Sequence, residues 1–386
     1  MEVRRNPAFT DSEFRRRLDA VRRRMEDAGL DALLVTTPEN ICYLSGFETP
    51  GYYYPQVLIV PHGEAPVLVI RRLERGNFLA HSWLAEDRCE SFQDHERPME
   101  AVARAVERLA LAGKIIGVDL AGWFFPVRDH ETLKRLLPNA RIRDASLLVE
   151  TARAIKSPPE IAYIREAARL SGLGVQAAVG RCKPGVTTEN ELAGAAYEIL
   201  TRNGSEYAGL PVLISSGART LVAHATPTGK VIEPGDNVLV ELTGVVRRYA
   251  GPIFRTLFCG RASPRVREIA KVAEDMLAAV MDSARPGATS DGVNAAAARA
   301  AAPLGAAVHK RAGYSVGLNF APDWGEGYLL DLKQGDGTVL RPGMTFHVPQ
   351  VVRLPGEPPI AISETVLVTE GACEALTKFR RELIEL

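Results

Sequence analysis

The sequence predicts two domains: a smaller α/β domain over residues 1–152 and an α+β domain over residues 153–386. Three observations lead to this fold class. Strand and helix patterns alternate through the first 150 residues, the pattern changes at a proline-containing stretch, and the remaining chain places alanine-rich helices between strand-rich blocks. A chain of 386 residues is long enough to bury two cores.

Within the first domain, residues 14–28 have the charge and apolar spacing of a helix that buries one face. Short apolar runs separated by turn residues predict strands. The predicted strands are residues 31–36, 57–61, 67–70 and 115–119, and a second helix is predicted at residues 99–111. This alternation favours a sheet with helices packed on its faces.

The second domain begins at a linker over residues 153–160 that contains Pro158 and Pro159. Proline is favoured in the first turn of a helix, so a long helix is predicted to start there and to cover residues 161–179. Further helices are predicted at residues 187–202, 264–284 and 289–303, and strand-rich blocks at residues 210–260 and 338–370. Helices bracketed by antiparallel strands indicate an α+β domain.

Charge and hydropathy exclude several classes of partner. The chain has 47 basic and 47 acidic residues, so no overall field attracts nucleic acid or an anionic membrane. No apolar run is long enough to span a bilayer, and no apolar core follows the charged N-terminus. We therefore expect a cytoplasmic protein that binds neither nucleic acid nor membrane, with its five scattered cysteines reduced.

Two acidic residues occupy the middle of strand-like runs. A carboxylate at such a position is unfavourable unless it is paired or has a function, and Glu241 and Glu364 both stand there. A purely structural interpretation pairs Glu241 with Arg255 on the return strand. His224 and His347 are the histidines in the most promising sequence contexts, although either could also be a core residue.

The segments that carry these residues occur in a distinctive order. They are Ala-His-Ala-Thr-Pro (residues 223–227), the strand and return strand of residues 233–256, a Gly-Tyr-Ser-Val-Gly-Leu turn (313–318), a Pro-Asp-Trp-Gly-Glu loop (322–326), residues 340–349 and the strand of residues 360–369. In order and spacing they resemble the pita-bread family that contains methionine aminopeptidase, aminopeptidase P, prolidase and creatinase. The resemblance covers nearly the whole chain and implies a pita-bread C-terminal domain behind a creatinase-like N-terminal domain.

The metal ligands of the family are poorly matched. In its metallopeptidases, two aspartates, a histidine and two glutamates hold two metal ions. Glu241 stands at the first aspartate position and Glu364 at the last glutamate, whereas the other three positions hold Pro252, Tyr314 and Pro349. Proline offers no donor atom and tyrosine is a poor ligand for such ions, so we expect no metal centre and no cofactor.

Metal-free branches of the family match better. Creatinase hydrolyses a carbon–nitrogen bond without metal and resembles this chain at His224 and Glu364. Ectoine hydrolase is similar in four motifs, at residues 241–249, 313–318, 322–326 and 344–347. The resemblance implies a metal-independent hydrolase of a C–N bond in a small, cationic or zwitterionic, non-peptide compound. Glu241 would be its nucleophile or general base, His224 its proton shuttle, and Glu364 the partner of the substrate's cationic nitrogen.

The same resemblance nominates residues that bind the substrate. These are Tyr314, His347, Trp324, Asp323, Tyr249, Arg255 and Tyr52. Tyr52 belongs to the aromatic segment of residues 43–56, which has the composition of a loop lining a small pocket. We expect a homodimer in which this loop lies close to the partner's site.

Three alternatives stay open at the level of sequence. One is an enzyme like Xaa-Pro aminopeptidase with a single metal ion held by His347, Glu241, Glu364 and His224. Another is a binding protein that has lost turnover. The third is a different small-molecule hydrolase of the same branch, because one methyl group changes binding by only about 1–3 kcal/mol.

Overall fold

A computed structural model describes residues 3–305 and 311–386. The chain divides into two compact units, Met1–Arg153 and Ala154–Leu386. Each unit has its own sheets and its own cluster of buried apolar side chains. Among the described residues, no helix combines the length and apolarity needed to cross a membrane.

The first unit is built around one mixed sheet of six strands. Its strands are β1 (Ala32–Val35), β2 (Val57–Pro61), β3 (Val67–Arg71), β4 (Cys89–Phe92), β5 (Ile115–Val118) and β6 (Arg141–Asp144). Its helices are α1 (Asp11–Asp27), α2 (Pro38–Ser45), α3 (Arg75–His81), α4 (Pro98–Arg108), α5 (Val127–Leu136) and α6 (Leu148–Arg153). The strand order is β4-β3-β2-β1-β5-β6, and β2 runs antiparallel to both of its neighbours. The four strands predicted from the sequence correspond to β1, β2, β3 and β5.

Helix α1 has one buried apolar face and a capped N-terminus. Its buried apolar residues Phe14, Leu18, Val21 and Met25 recur at the spacing of one helix face. The hydroxyl of Thr10 accepts a hydrogen bond from the first turn, which satisfies a backbone N–H that the helix itself cannot pair. The helical prediction for this segment is therefore confirmed.

In its described residues, the second unit contains long helices and three sheets. Its helices are α7 (Pro158–Arg181), α8 (Glu189–Arg202), α9 (Pro264–Ser283) and α10 (Ser290–Ala301). Its first strands are β7 (Leu213–Ser216), β8 (Asn237–Leu242), β9 (Val245–Val246), β10 (Tyr249–Ala250) and β11 (Ile253–Phe258). They are followed by β12 (Arg311–Phe320), β13 (Asp323–Gly325), β14 (Asp331–Lys333), β15 (Thr345–His347), β16 (Gln350–Val352), β17 (Ile360–Ile362), β18 (Thr365–Val368), β19 (Cys373–Ala375) and β20 (Ile384–Glu385).

Two of these sheets position the functional side chains. One has the order β20-β11-β8-β7, in which β8 pairs antiparallel with both β7 and β11. The other has the order β19-β18-β15-β12-β10-β9, with β13 and β14 also paired to β12. The remaining pair, β16 and β17, forms a two-stranded sheet.

Strand β12 departs from the sequence prediction. The sequence predicted a turn at residues 313–318 and a loop at residues 322–326, whereas the structure has an antiparallel pair, β12 and β13. The glycines that suggested a turn instead allow close packing within the sheet. A Cβ at Gly313 would lie 2.8 Å from the carbonyl oxygen of His347, and one at Gly317 would lie 2.9 Å from the carboxylate of Glu326.

Candidate active site

A cavity of about 270 Å³ opens on one face of the β7-β8-β11 sheet. Its polar lining residues are Glu241, His224, Tyr314, Ser215, Arg311 and Arg353. The sheet register explains why residues of three strands line the cavity, since Leu213 and Phe254 are the cross-strand partners of Glu241. Because paired residues in an antiparallel sheet project to the same face, these side chains reach the cavity together. Three of the predicted site residues, Glu241, His224 and Tyr314, thus meet in one place.

Glu241 is held in an environment that favours its neutral form. Its immediate cross-strand neighbours, Leu213 and Phe254, are apolar and offer its carboxyl group no hydrogen bond in place of water. Burial raises the pKa of Glu241 to about 8, and the negative charge of Asp323 contributes in the same direction. A carboxyl group with this proton affinity can exchange a proton near neutral pH.

Arg255 does not pair with Glu241, so the structural interpretation of Glu241 is wrong. Arg255 is the cross-strand partner of Val240 and therefore projects to the other face of the sheet. There its guanidinium donates to Glu364, with Nη2 2.8 Å from Oε1, and to the backbone carbonyl oxygens of Arg380 and Ser363. This use of its donors also argues against the predicted substrate-binding role of Arg255.

Glu364 is an ion-pair partner inside the protein. Its carboxylate accepts from Arg255, from Nε of Arg381 at 3.0 Å, and from the hydroxyl of Thr377. It is fully buried and is absent from the described residues that line the cavity. The sequence-based role of Glu364 as the partner of a cationic substrate nitrogen is therefore replaced by a structural one.

Tyr314 stands at the centre of a buried hydrogen-bonded chain. The indole N–H of Trp324 donates to the phenol oxygen at 2.9 Å, and Nδ1 of His347 lies 2.8 Å from the same oxygen. Nε2 of His347 lies 2.7 Å from the hydroxyl of Ser363. Burial, together with the charges of two arginines, lowers the pKa of His347 to about 3, so the imidazole is neutral. Trp324 and His347 support Tyr314 from behind the cavity wall.

His224 lies on an exposed loop at the rim of the cavity. Its φ of 54° places a non-glycine residue in the left-handed region, which costs conformational energy. Both ends of the loop are fixed by the buried carboxylate of Glu189, which accepts from Ser216 N at 2.8 Å, from Thr228 N at 3.0 Å and from Arg219 Nε at 3.1 Å. The fold therefore holds this strained histidine at the opening of the cavity.

The other nominated substrate-binding residues have different positions. The phenol of Tyr249 donates to Glu160 at 2.8 Å inside the second unit, and this residue is absent from the described lining of the cavity. Asp323 is exposed, accepts from its own hairpin backbone, and acts on Glu241 through its charge. Tyr52 belongs to the first unit, where it packs edge-on against Phe124.

Two arginines that line the cavity, Arg311 and Arg353, were not predicted from the sequence. Arg311 lies over the ring of Tyr314 and donates to Asp331 at 2.9 Å. Arg353 is exposed and donates to the carbonyl oxygen of Thr220. Alternation could have revealed Arg353, because Pro349, Val351 and Arg353 occupy every second position and all line the cavity. No comparable signal marks Arg311.

The donor atoms do not fit a metal centre. Within residues 3–305 and 311–386, no three histidine, cysteine, aspartate or glutamate side chains are grouped so that they could hold an ion. Both ring nitrogens of His347 are in hydrogen bonds, and Glu364 is neutralised by two arginines. The single-ion alternative built on these residues is therefore not supported by their geometry.

These features define a two-unit protein whose second unit carries a cavity lined by both polar and apolar side chains. Residues 162–370 match Metallopeptidase family M24, and residues 17–155 match the Creatinase/Prolidase N-terminal domain. The chain belongs to metallopeptidase family M24.

Individual relatives match this chain along nearly their whole length. An uncharacterized hydrolase/peptidase of Sinorhizobium fredii, y4tM, is 32% identical, covering 97% of this chain and 98% of the relative. The ectoine hydrolase of Halomonas elongata is 29% identical, with the same shares covered. The solved prolidase of Pyrococcus horikoshii has a TM-score of 0.83 at 25% identity, covering 96% of this chain and 100% of its own. The predicted family and pita-bread fold are confirmed, and the chain is a hydrolase of this family.

Proposed function

We propose that the protein hydrolyses a C–N bond of a small amidine or guanidine compound without a bound metal. The observation that carries this proposal is the contrast between two carboxyl groups. Glu241 faces the cavity with a raised pKa, whereas Glu364 is compensated by Arg255 and Arg381. One carboxyl group is available for chemistry and the other is already neutralised within the protein.

Glu241 acts as the general base. It takes a proton from a water molecule while the water oxygen bonds to the amidine carbon. The C–N bond then breaks, its electron pair stays on the departing nitrogen, and His224 supplies a proton to that nitrogen. The water oxygen remains as the carbonyl oxygen of the product. Its remaining hydrogen passes to His224 as the C=O bond forms, which restores the proton that His224 gave, and the proton on Glu241 passes to the departing amine. A cationic amidinium beside Glu241 favours the carboxylate form. Binding of the substrate therefore converts Glu241 into the form that can accept a proton.

The cavity also suits a zwitterion. Its acidic side is Glu241, with the charge of Asp323 nearby, and its basic side chains are Arg311 and Arg353. A delocalised cation pairs well with the first group and a carboxylate with a guanidinium. A volume of about 270 Å³ suits a small molecule. Ectoine hydrolase, the Halomonas relative, bears a name that agrees with this class of substrate.

The test is a turnover screen with metal-stripped protein against ectoine, hydroxyectoine, creatine and Xaa-Pro dipeptides. We expect one of the amidine or guanidine compounds to be hydrolysed at a rate that neither chelator nor added divalent metal changes. Turnover of an Xaa-Pro dipeptide that requires added metal would contradict the proposal. Binding of these compounds without any turnover would instead indicate a binding protein.

A further inference from the structure

The phenol of Tyr314 has two neighbours that determine where its own hydrogen points. An indole N–H can only donate, so the phenol oxygen accepts from Trp324, whose Nε1 is 2.9 Å away. The second neighbour, Nδ1 of His347 at 2.8 Å, donates in one tautomer and accepts in the other. The direction of the phenolic hydrogen therefore depends on the tautomer of His347.

Ser363 selects between the two tautomers. Its hydroxyl oxygen is buried, accepts from the backbone N–H of Phe254 at 2.7 Å, and lies 2.7 Å from Nε2 of His347. If His347 carried its proton on Nε2, Ser363 would accept from both sides, and no other acceptor for its own hydrogen is found among the described residues. A buried hydroxyl hydrogen without an acceptor is unfavourable.

In the other tautomer, the hydrogen without an acceptor among the described residues is that of Tyr314. Tyr314 lines the cavity, where water or substrate can accept it, whereas Ser363 is fully buried. Ser363 then donates to Nε2 of His347, and Nδ1–H of His347 donates to Tyr314. Because burial and the nearby Arg311 and Arg255 lower the pKa of His347 to about 3, the doubly protonated imidazole does not compete. In this arrangement the phenol oxygen accepts two hydrogen bonds, and its own hydrogen is free for an acceptor on the cavity side.

We propose that Tyr314 donates its phenolic hydrogen into the cavity. There it stabilises the substrate nitrogen that gains electron density when water attacks the amidine or guanidine carbon. The catalytic part of this inference rests on the proposed function. Electron density accumulates on that atom as the carbon becomes tetrahedral, and a fixed donor lowers the energy of this state. Tyr314 keeps its proton throughout, since burial and the neighbouring Glu241 raise its pKa far above the ordinary value. Ser363 is a positioning residue that acts through His347.

The tautomer can be measured without any substrate. In protein with ¹⁵N-labelled histidine, couplings between the ring nitrogens and carbons identify the protonated nitrogen, and the spectrum of His347→Gln assigns the signal. We expect His347 to be protonated on Nδ1, and Ser363→Ala to lose the exclusive Nδ1–H state. A proton on Nε2 in the unaltered protein would overturn the proposal, whatever the substrate proves to be.

The catalytic role is tested with the compound found in the turnover screen. Tyr314→Phe should lower kcat by about a hundredfold or more with little change in KM, because the hydrogen bond from the phenol to the substrate strengthens in the transition state. Ser363→Ala should lower kcat in the same direction. Tyr197→Phe and Ser283→Ala, which alter hydroxyls outside the cavity lining, should leave kcat unchanged. A Tyr314→Phe enzyme with undiminished kcat would overturn the proposed role.

Discussion

Nη2 of Arg255 lies 2.8 Å from Oε1 of Glu364, and both side chains are about 1% exposed. Arg381 makes a second ion pair with the same oxygen. Glu364 stands where the metallopeptidases that this chain resembles use their last glutamate as a ligand. Here two guanidinium groups supply the positive charge that balances this carboxylate, which gives Glu364 a role in stability.

Replacing Glu364 should therefore destabilise the fold. Glu364→Gln leaves the buried Arg255 without its charged partner, and breaking a buried pair in this way costs roughly 3–5 kcal/mol. We expect the free energy of unfolding in denaturant to fall by that amount. Glu198→Gln is the matched control, because it breaks the exposed pair with Arg202 and should cost less than about 1 kcal/mol. Equal stability of the two variants would contradict the assignment of Glu364.

The raised pKa of Glu241 predicts a dependence of stability on pH. The folded state holds this proton up to about pH 8, whereas the unfolded chain releases it near 4.5. The unfolded state therefore binds fewer protons between these values, and the free energy of unfolding falls as pH rises through this window.

Glu241→Gln should remove this part of the pH dependence. The variant should gain stability over the original protein as pH rises from 5 to 8, by on the order of 3 kcal/mol, since each pKa unit corresponds to about 1.4 kcal/mol and the side chain faces a cavity. Urea unfolding curves at several pH values measure the difference. A stability difference that does not change with pH would show that the pKa of Glu241 is not raised.

Arg353 should select for a carboxylate on the substrate. Arg353→Met removes an exposed guanidinium from the cavity rim, so KM for a zwitterionic substrate should rise about tenfold or more while kcat changes little. Steady-state kinetics of the zwitterion and of its analogue without the carboxylate give the comparison. Arg202→Met is a control on the exposed surface. Equal effects of Arg353→Met on both compounds would refute carboxylate recognition.

The homodimer remains a prediction, and the aromatic surface of the first unit motivates it. Tyr53 is 72% exposed and Trp123 is 67% exposed. The ring contact between Tyr52 and Phe124 brings together the two loops that carry these exposed side chains. Exposed apolar patches of this kind commonly mark an interaction surface. Analytical ultracentrifugation should show a dimer that Tyr53→Ser weakens. A fully active monomer would rule the dimer out as a requirement for activity.

Much of the fold could be predicted because its signals are local. Helix α1 follows from apolar spacing, and helix α7 follows from Pro158 and Pro159 in its first turn. The β12–β13 pair was missed because Gly313 and Gly317 are typical of turns. Their actual role is steric and depends on His347 and Glu326, which come from elsewhere in the chain.

The site was predicted only in part, for a related reason. The resemblance identified Glu241, His224 and Tyr314, which do meet at the cavity. The faces of Arg255 and Glu364 depend on strand register, and an offset of one residue sends a side chain to the opposite face of a sheet. The register between β8 and β11 cannot be read from composition or spacing.

If Glu241 is the general base of a metal-independent hydrolysis, its carboxylate is required for turnover and a metal ion is not. The most direct test is the single-turnover rate of metal-stripped protein and of metal-stripped Glu241→Gln, with thermal melting to confirm that both are folded. Because the amide keeps the shape of the side chain and cannot accept the proton, we expect a rate at least about a hundredfold lower for the variant. An undiminished rate in folded Glu241→Gln, or a rate in the original protein that returns only with added metal, would contradict it.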